Sequence, residues 1–159
     1  IPMNTKQLES WIGPILTAHD FHKVKREWYY EGDECLIMVS LEKSPHGGQY
    51  YLDLGASPRQ LLGGERPREY QCHFRVRLES IIPNPQELLT AMDLEDPSIK
   101  ASHREQVVVT ALREYGIPLL TRLRTLSGAA RLVNSHPNAV WFLIRSELQE
   151  LFRSNVSHT

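Results

Sequence analysis

The sequence has few of the residues on which common reaction chemistries depend. It contains two cysteines and seven histidines, and the histidines lack the spacing of a metal site. Neither a G-x-S-x-G nucleophile elbow nor a glycine-rich phosphate loop is present. We therefore expect no bound metal, no cofactor and no disulfide.

Neither charge sign is in excess, and no long apolar run occurs. The formal net charge is −1, whereas a general nucleic-acid-binding domain needs a basic surface to contact phosphates. Every apolar run falls well short of the ~20 residues that span a bilayer. The first residues, IPMNTKQLESW, lack the basic and apolar regions of a signal peptide. We expect a cytoplasmic protein that binds neither nucleic acid nor membrane.

The two cysteines fall on the apolar positions of alternating segments. Cys35 alternates with Ile37 and Val39, and Cys72 alternates with Phe74. Cytosolic thiols stay reduced and pack as small apolar groups. This pattern predicts two free thiols in the core.

Three alternating segments predict strands at 34–43, 49–56 and 71–79, and an aromatic segment at 28–30 predicts a fourth. They indicate a four-stranded antiparallel sheet between about residues 26 and 80. Its core face is expected to carry Ile37, Val39, Leu52, Leu54, Phe74 and Val76. Leu36 and Met38 place apolar groups on the opposite face, so that end is either covered on both faces or a contact patch.

The rest of the chain has helical periodicity. Asn4 is a candidate N-cap for a first helix that Pro14 should kink or divide. The later segments predict helices at 85–92, at 102–116 with a Ser102/Glu105 capping box, after Pro118, at 127–133 with Ser127 as its cap, and at 138–152. Strands followed by helices predict a single α+β domain over residues 1–159, with the helices packed on one face of the sheet.

Several segments together resemble a known family. They are Gly13 to Leu16, the basic run before Trp28-Tyr29, Val39 to Ser44, Gln49 to Gly55 and Cys72 to Arg77. In these segments the chain is similar, from about residue 8 to 132, to the uncharacterised bacterial family called domain of unknown function 4304. Asp20 stands where that family usually has glycine, and Glu42 stands where it usually has glutamine. The resemblance implies a fold and no mechanism.

Two local patterns resemble ligand sites and have simpler interpretations. His19 and His22 form an H-x-x-H pair, but the pair lies where the first helix should end and has no third ligand nearby. Cys72 and His73 are adjacent, and adjacent strand residues point to opposite faces. We interpret both as structural.

One set of polar residues shares the sheet face opposite the predicted core. In a meander this face would carry Glu42, Tyr51, Asp53, His73, Arg75 and Arg77. The structural interpretation is a group of cross-strand charge pairs. The functional interpretation is a surface on which an arginine captures a carboxylate or phosphate, with the predicted loop at 57–69 as a flap.

These observations favour a non-enzymatic binding or interaction module over an enzyme. Its partner would be another protein or a small anionic ligand, bound at the charged sheet face. The alternative is a small hydrolase or transferase acting on an anionic substrate. In that alternative His73 would be the general base beside Arg75 or Arg77, since histidine titrates near neutral pH.

Overall fold

A single N-terminal helix precedes the sheet. The structure, a computed structural model, describes residues 4–64 and 66–156. Helix α1 spans Thr5–Ala18, and Asn4 forms a reciprocal capping box with Gln7. The helix runs through Pro14, so of the two predicted alternatives, a kink or a division in two, the division is wrong.

The sheet is an antiparallel meander of six strands in sequential order, rather than the four predicted. The strands are β1 His22–Val24, β2 Glu27–Glu31, β3 Cys35–Lys43, β4 Tyr50–Pro58, β5 Phe74–Arg77 and β6 Leu143–Ile144. The sequence missed β1 because a basic run shows no alternation, and because its turn uses Lys25 at φ 58° instead of glycine. It missed β6 because Leu143 and Ile144 fell inside the helix predicted at 138–152, and a two-residue strand is too short to show a period of its own.

One face of the sheet carries the main core, as predicted. Ile37, Val39, Leu52, Leu54, Phe74 and Val76 all belong to it. They pack with apolar residues of α1 and of the later helices, for example Leu8, Val108 and Phe152. The α+β class is therefore confirmed, with helices on this face.

The later helices differ from the predictions mainly at their ends, except the last, because residues 138–145 of the helix predicted at 138–152 are not helical. They are α2 Pro85–Ala91, α3 Ala101–Ala111, α4 Ile117–Arg122, α5 Leu126–Asn134 and α6 Ser146–Val156. Helix α3 begins after Lys100 without a side-chain cap, and a π-helical segment at Leu112–Gly116 joins it to α4, so neither the Ser102 cap nor the stop at Gly116 occurs. Thr125, not Ser127, caps α5. Within the described ranges, no helix combines the length and apolarity that crossing a membrane requires.

The opposite face of the sheet is half covered by the segment between β4 and β5. We call residues 59–64 and 66–72 the strap. Leu62 and Cys72 of the strap pack on Tyr29, Leu36 and Met38. Leu36 and Met38 are therefore buried on the second face. Of the two alternatives that the sequence left open, this end of the sheet is covered on both faces and is not an exposed contact patch.

Polar contacts fix the strap to β2 and to the turn after it. Arg66 makes two hydrogen bonds to the carboxylate of Glu31, at 3.2 and 3.1 Å. Arg59 Nε donates to the carbonyl of Gly32 at 2.8 Å. The predicted flap is thus a packed segment, and Ser57 and Pro58 belong to β4.

The two thiols are buried and free, but they lie on opposite faces of the sheet. Cys35 lies with Ala56 and Phe74 on the core side, where burial raises the pKa of its thiol to about 12. Cys72 belongs to the second-face cluster. Its predicted place in the main core is wrong, because β5 begins only at Phe74 and the alternation does not extend back to Cys72.

Candidate functional site

The uncovered half of the second face forms an open cavity of about 570 Å³, which we call the polar cavity. Strands β2 to β5 form its floor, and the strap and the turn after β3 form its walls. Its lining residues are Glu27, Glu42, Lys43, Ser44, Pro45, Tyr51, Asp53, Arg68, Tyr70, Arg75 and Arg77. Five of the six predicted site residues are in this set, and His73 is not.

A salt bridge between two of the predicted residues lies at the centre of the floor. Asp53 on β4 and Arg77 on β5 are direct cross-strand partners. Arg77 Nε donates to Asp53 Oδ1 at 3.0 Å, with the Asp53 side chain 7% exposed and that of Arg77 50% exposed. The Arg77 guanidinium also lies 4.0 Å from the ring centre of Tyr51, in cation–π geometry. The pair and the ring together orient the guanidinium.

The same cross-strand row continues over two further strands. Asp53 is opposite Ser40, and Ser40 is opposite Glu27. The Ser40 hydroxyl donates to the carboxylate of Glu42, and the Tyr29 hydroxyl donates to that of Glu27 at 2.6 Å. Burial, together with Glu27, raises the pKa of Tyr29. Each carboxylate of the cavity therefore accepts a hydrogen bond from the sheet itself.

Two cations of the cavity, Lys43 and Arg68, differ from Arg77 in their pairing. Lys43 and Arg68 are exposed, and neither side chain forms an ion pair with any other residue of the described chain. Arg77 Nε donates to Asp53, and half of the Arg77 side chain remains exposed. The lining carries four cationic side chains and three carboxylates, and this positive excess favours an anionic group as the occupant.

The sequence did not identify Glu27, Lys43, Arg68 and Tyr70 as site residues. Arg68 and Tyr70 are in the strap, and their position depends on how that segment folds back over the sheet. The apolar pair Leu36 and Met38 was the available signal, because a covered second face requires a covering segment. Glu27 was missed because the aromatic segment at 28–30 does not show where β2 begins or which residue of β3 lies opposite Glu27.

His73 lies at the other end of the second face and outside the cavity. Its Nδ1 is 2.9 Å from the hydroxyl of Ser57, and its backbone N–H donates to the same hydroxyl at 3.1 Å. The side chain is 9% exposed. Burial lowers the pKa of His73, and the charge of Arg145 lowers it further. The alternation that grouped His73 with Arg75 and Arg77 was not sufficient, because His73 precedes the strand and is drawn toward Ser57.

The H-x-x-H pair does not form a metal site. His22 Nε2 is 3.2 Å from the Glu31 carboxylate, where Arg66 also binds, and His19 is the C-cap of α1. Over residues 4–64 and 66–156, no three His, Cys, Asp or Glu side chains converge as a metal ion would require.

Comparison with known proteins confirms the family resemblance. A family model described as domain of unknown function (DUF4304) matches residues 12–122, a range that contains every residue lining the polar cavity. No curated protein and no solved structure matches the chain. Because the match covers well over half of the 159 residues, the chain belongs to this family, the domain of unknown function DUF4304.

Proposed function

We propose that the protein is a non-enzymatic binding module and that the polar cavity is its binding site. The observation that carries the proposal is the convergence of Glu42, Tyr51, Asp53, Arg75 and Arg77 on one open cavity. Strand alternation alone places these residues on one face of the sheet. The occupant is a protein partner or a small anionic ligand.

The state of the arginines supports an anionic contact. Arg77 is held by Asp53 and Tyr51 before any ligand arrives, so little side-chain entropy is lost when it binds. A guanidinium presents a planar set of donors that matches a carboxylate or phosphate. Lys43 and Arg68 at the walls add positive charge that draws an anion into the cavity.

The alternative, a small hydrolase or transferase, has less support. A general base must lie within hydrogen-bond reach of the reacting group, and His73 does not line the polar cavity. One observation favours this alternative: burial lowers the pKa of His73, which favours the neutral form that a base needs. Its Nδ1, however, is engaged by the buried Ser57, and the cavity that Ser57 lines is only about 10 Å³, too small for a substrate.

The proposal is tested by retention of a partner from native lysate. We expect wild-type protein to retain a protein or anionic metabolite that the Arg75→Ala/Arg77→Ala variant loses. The control variant Arg113→Ala/Arg131→Ala removes the same charge from two exposed helical positions outside the polar cavity. Circular dichroism and thermal unfolding establish that both variants are folded.

Two outcomes would count against the proposal. Equal retention by wild type and by the Arg75/Arg77 variant would exclude the polar cavity as the binding site. Turnover in a panel of esters and phosphoesters, abolished by His73→Ala, would replace the proposal with the enzyme. As part of the proposal we assign the protein to the bacterial cytoplasm, an environment that agrees with two free buried thiols.

A further inference from the structure

The exposed large apolar side chains of the described chain all lie around Arg75 and Arg77. They are Tyr70, Val140 and Leu143, which are 56%, 95% and 63% exposed. Tyr70 lines the polar cavity. Val140 and Leu143 line a second, adjoining cavity of about 310 Å³. Isolated exposed apolar residues are common, but their collection at one place marks a contact surface.

The two cavities share the same charged centre. Asp53, Arg75 and Arg77 line both of them, so the arginines lie between Tyr70 on one side and Val140 and Leu143 on the other. The backbone fixes this arrangement, because Leu143 on β6 is the cross-strand partner of Arg75 on β5.

One residue connects the two apolar sides. The backbone N–H of Arg145, directly after β6, donates to the carbonyl of His73 at 2.9 Å. Its guanidinium donates to the carbonyl of Tyr70 at 3.2 Å. The strap and β6 are thus joined at Arg145, and the spacing between Tyr70 and Leu143 is set by the fold.

The combination of cationic and exposed apolar side chains indicates whether the occupant is a small anion or a protein segment. A small anion would be bound by Lys43, Arg68 and the arginines alone and would leave Val140 and Leu143 in water. A protein segment that carries carboxylates beside apolar side chains would cover both parts of the surface. Arginine and tyrosine are also the residue types enriched among the strongest contributors to protein interfaces.

We propose, building on the binding function proposed above, that the partner is an acidic segment of another protein. Its carboxylates contact Arg75, Arg77 and Arg68, and its apolar side chains contact Tyr70 on one side and Val140 and Leu143 on the other. The segment crosses the sheet at β5 and β6, where β6 covers only the first two residues of β5.

The test is selection of a displayed random-peptide library on the folded chain, followed by fluorescence anisotropy with the synthesised peptides. We expect selected peptides to combine Asp or Glu with large apolar residues. The Arg75→Ala/Arg77→Ala and Val140→Ser/Leu143→Ser variants should each weaken binding at least about tenfold. Leu143→Ile, which keeps the apolar area, and Arg113→Ala/Arg131→Ala should bind as wild type does.

The outcomes separate this inference from the binding function itself. Selection of no peptide, or of peptides whose affinity is unchanged by Val140→Ser/Leu143→Ser, would overturn the acidic-segment partner. Inorganic phosphate, titrated separately, would then test the cavity alone. If phosphate binds to wild type and not to Arg75→Ala/Arg77→Ala, the binding function stands with a small anion as ligand. If phosphate, peptide and lysate partners all bind equally to wild type and to Arg75→Ala/Arg77→Ala, both proposals fail.

Discussion

Replacing Arg104 with methionine tests whether one buried guanidinium holds the end of α2 in place. The Arg104 side chain lies within the fold, 2% exposed, and forms no ion pair with a carboxylate of the described residues. Instead Nη1 donates to the carbonyls of Ala91 and Asp93, both at 2.7 Å, and Nη2 donates to that of Asp96 at 2.9 Å. Methionine keeps most of the apolar stem and removes these three bonds, together with a longer one from Nη1 to the carbonyl of Thr90 at 3.5 Å.

The expected loss follows from these three bonds and the charge that is removed with them. A hydrogen bond to a charged group contributes roughly 1.5–3 kcal/mol, so the gross loss is about 4–9 kcal/mol. Removing the guanidinium also removes the cost of burying it, and water can reach the partly exposed carbonyls. We therefore expect the free energy of unfolding to fall by about 3 kcal/mol. Arg104→Lys, which can keep one or two of the bonds, should lose about half as much.

Urea unfolding followed by tryptophan fluorescence measures this loss. Arg113→Met is the matched control, because Arg113 is exposed, and surface substitutions stay within about 0.5 kcal/mol of wild type. The dependence of the free energy on urea concentration should be unchanged in both variants. If Arg104→Met unfolds with the same free energy as Arg113→Met, the carbonyls are satisfied without the guanidinium and the reasoning is refuted.

Three further predictions concern Gly55, Asp20 and His73. In Gly55→Ala the new methyl would lie 2.8 Å from the sulfur of Cys72, so we expect a loss of about 1–3 kcal/mol in stability and faster reaction of Cys72 with a thiol reagent. Asp20 lies at φ 70°, and Asp20→Gly should raise the free energy of unfolding by up to about 1 kcal/mol in the same urea assay. Because burial lowers the pKa of His73 from 6.5, the unfolded chain binds its proton more readily. Stability should therefore fall as the pH drops below about 6.5, and His73→Asn should reduce that dependence, while an unchanged dependence would rule out His73 as its source.

The alternation of β3, β4 and β5 made half of the site predictable. A period of two places Tyr51 and Asp53 on one face of β4, and Arg75 and Arg77 on one face of β5. The antiparallel register then brings Asp53 opposite Arg77. These steps need only local pattern and hairpin connections, and they succeeded.

Contacts that depend on irregular backbone could not be predicted in this way. His73 follows a 3-10 turn, where alternation no longer determines the direction of a side chain. The strap has no period of its own, so Arg68 and Tyr70 gave no sign of lining the cavity. Thr125 rather than Ser127 caps α5 because the choice depends on where the preceding turn ends.

The order of the strands along the chain has a consequence for how the molecule assembles. Strands β1 to β5 are joined by successive hairpins and the strap, so each can pair with the strand just made, at little cost in loop closure. Strand β6 is the exception, since helices α2 to α5 separate it from β5. Its pairing closes a long loop and belongs late in folding. The edge that carries Val140 and Leu143 is therefore completed only after the helices have docked. A nascent or partly folded chain would present Arg75 and Arg77 without these two apolar side chains.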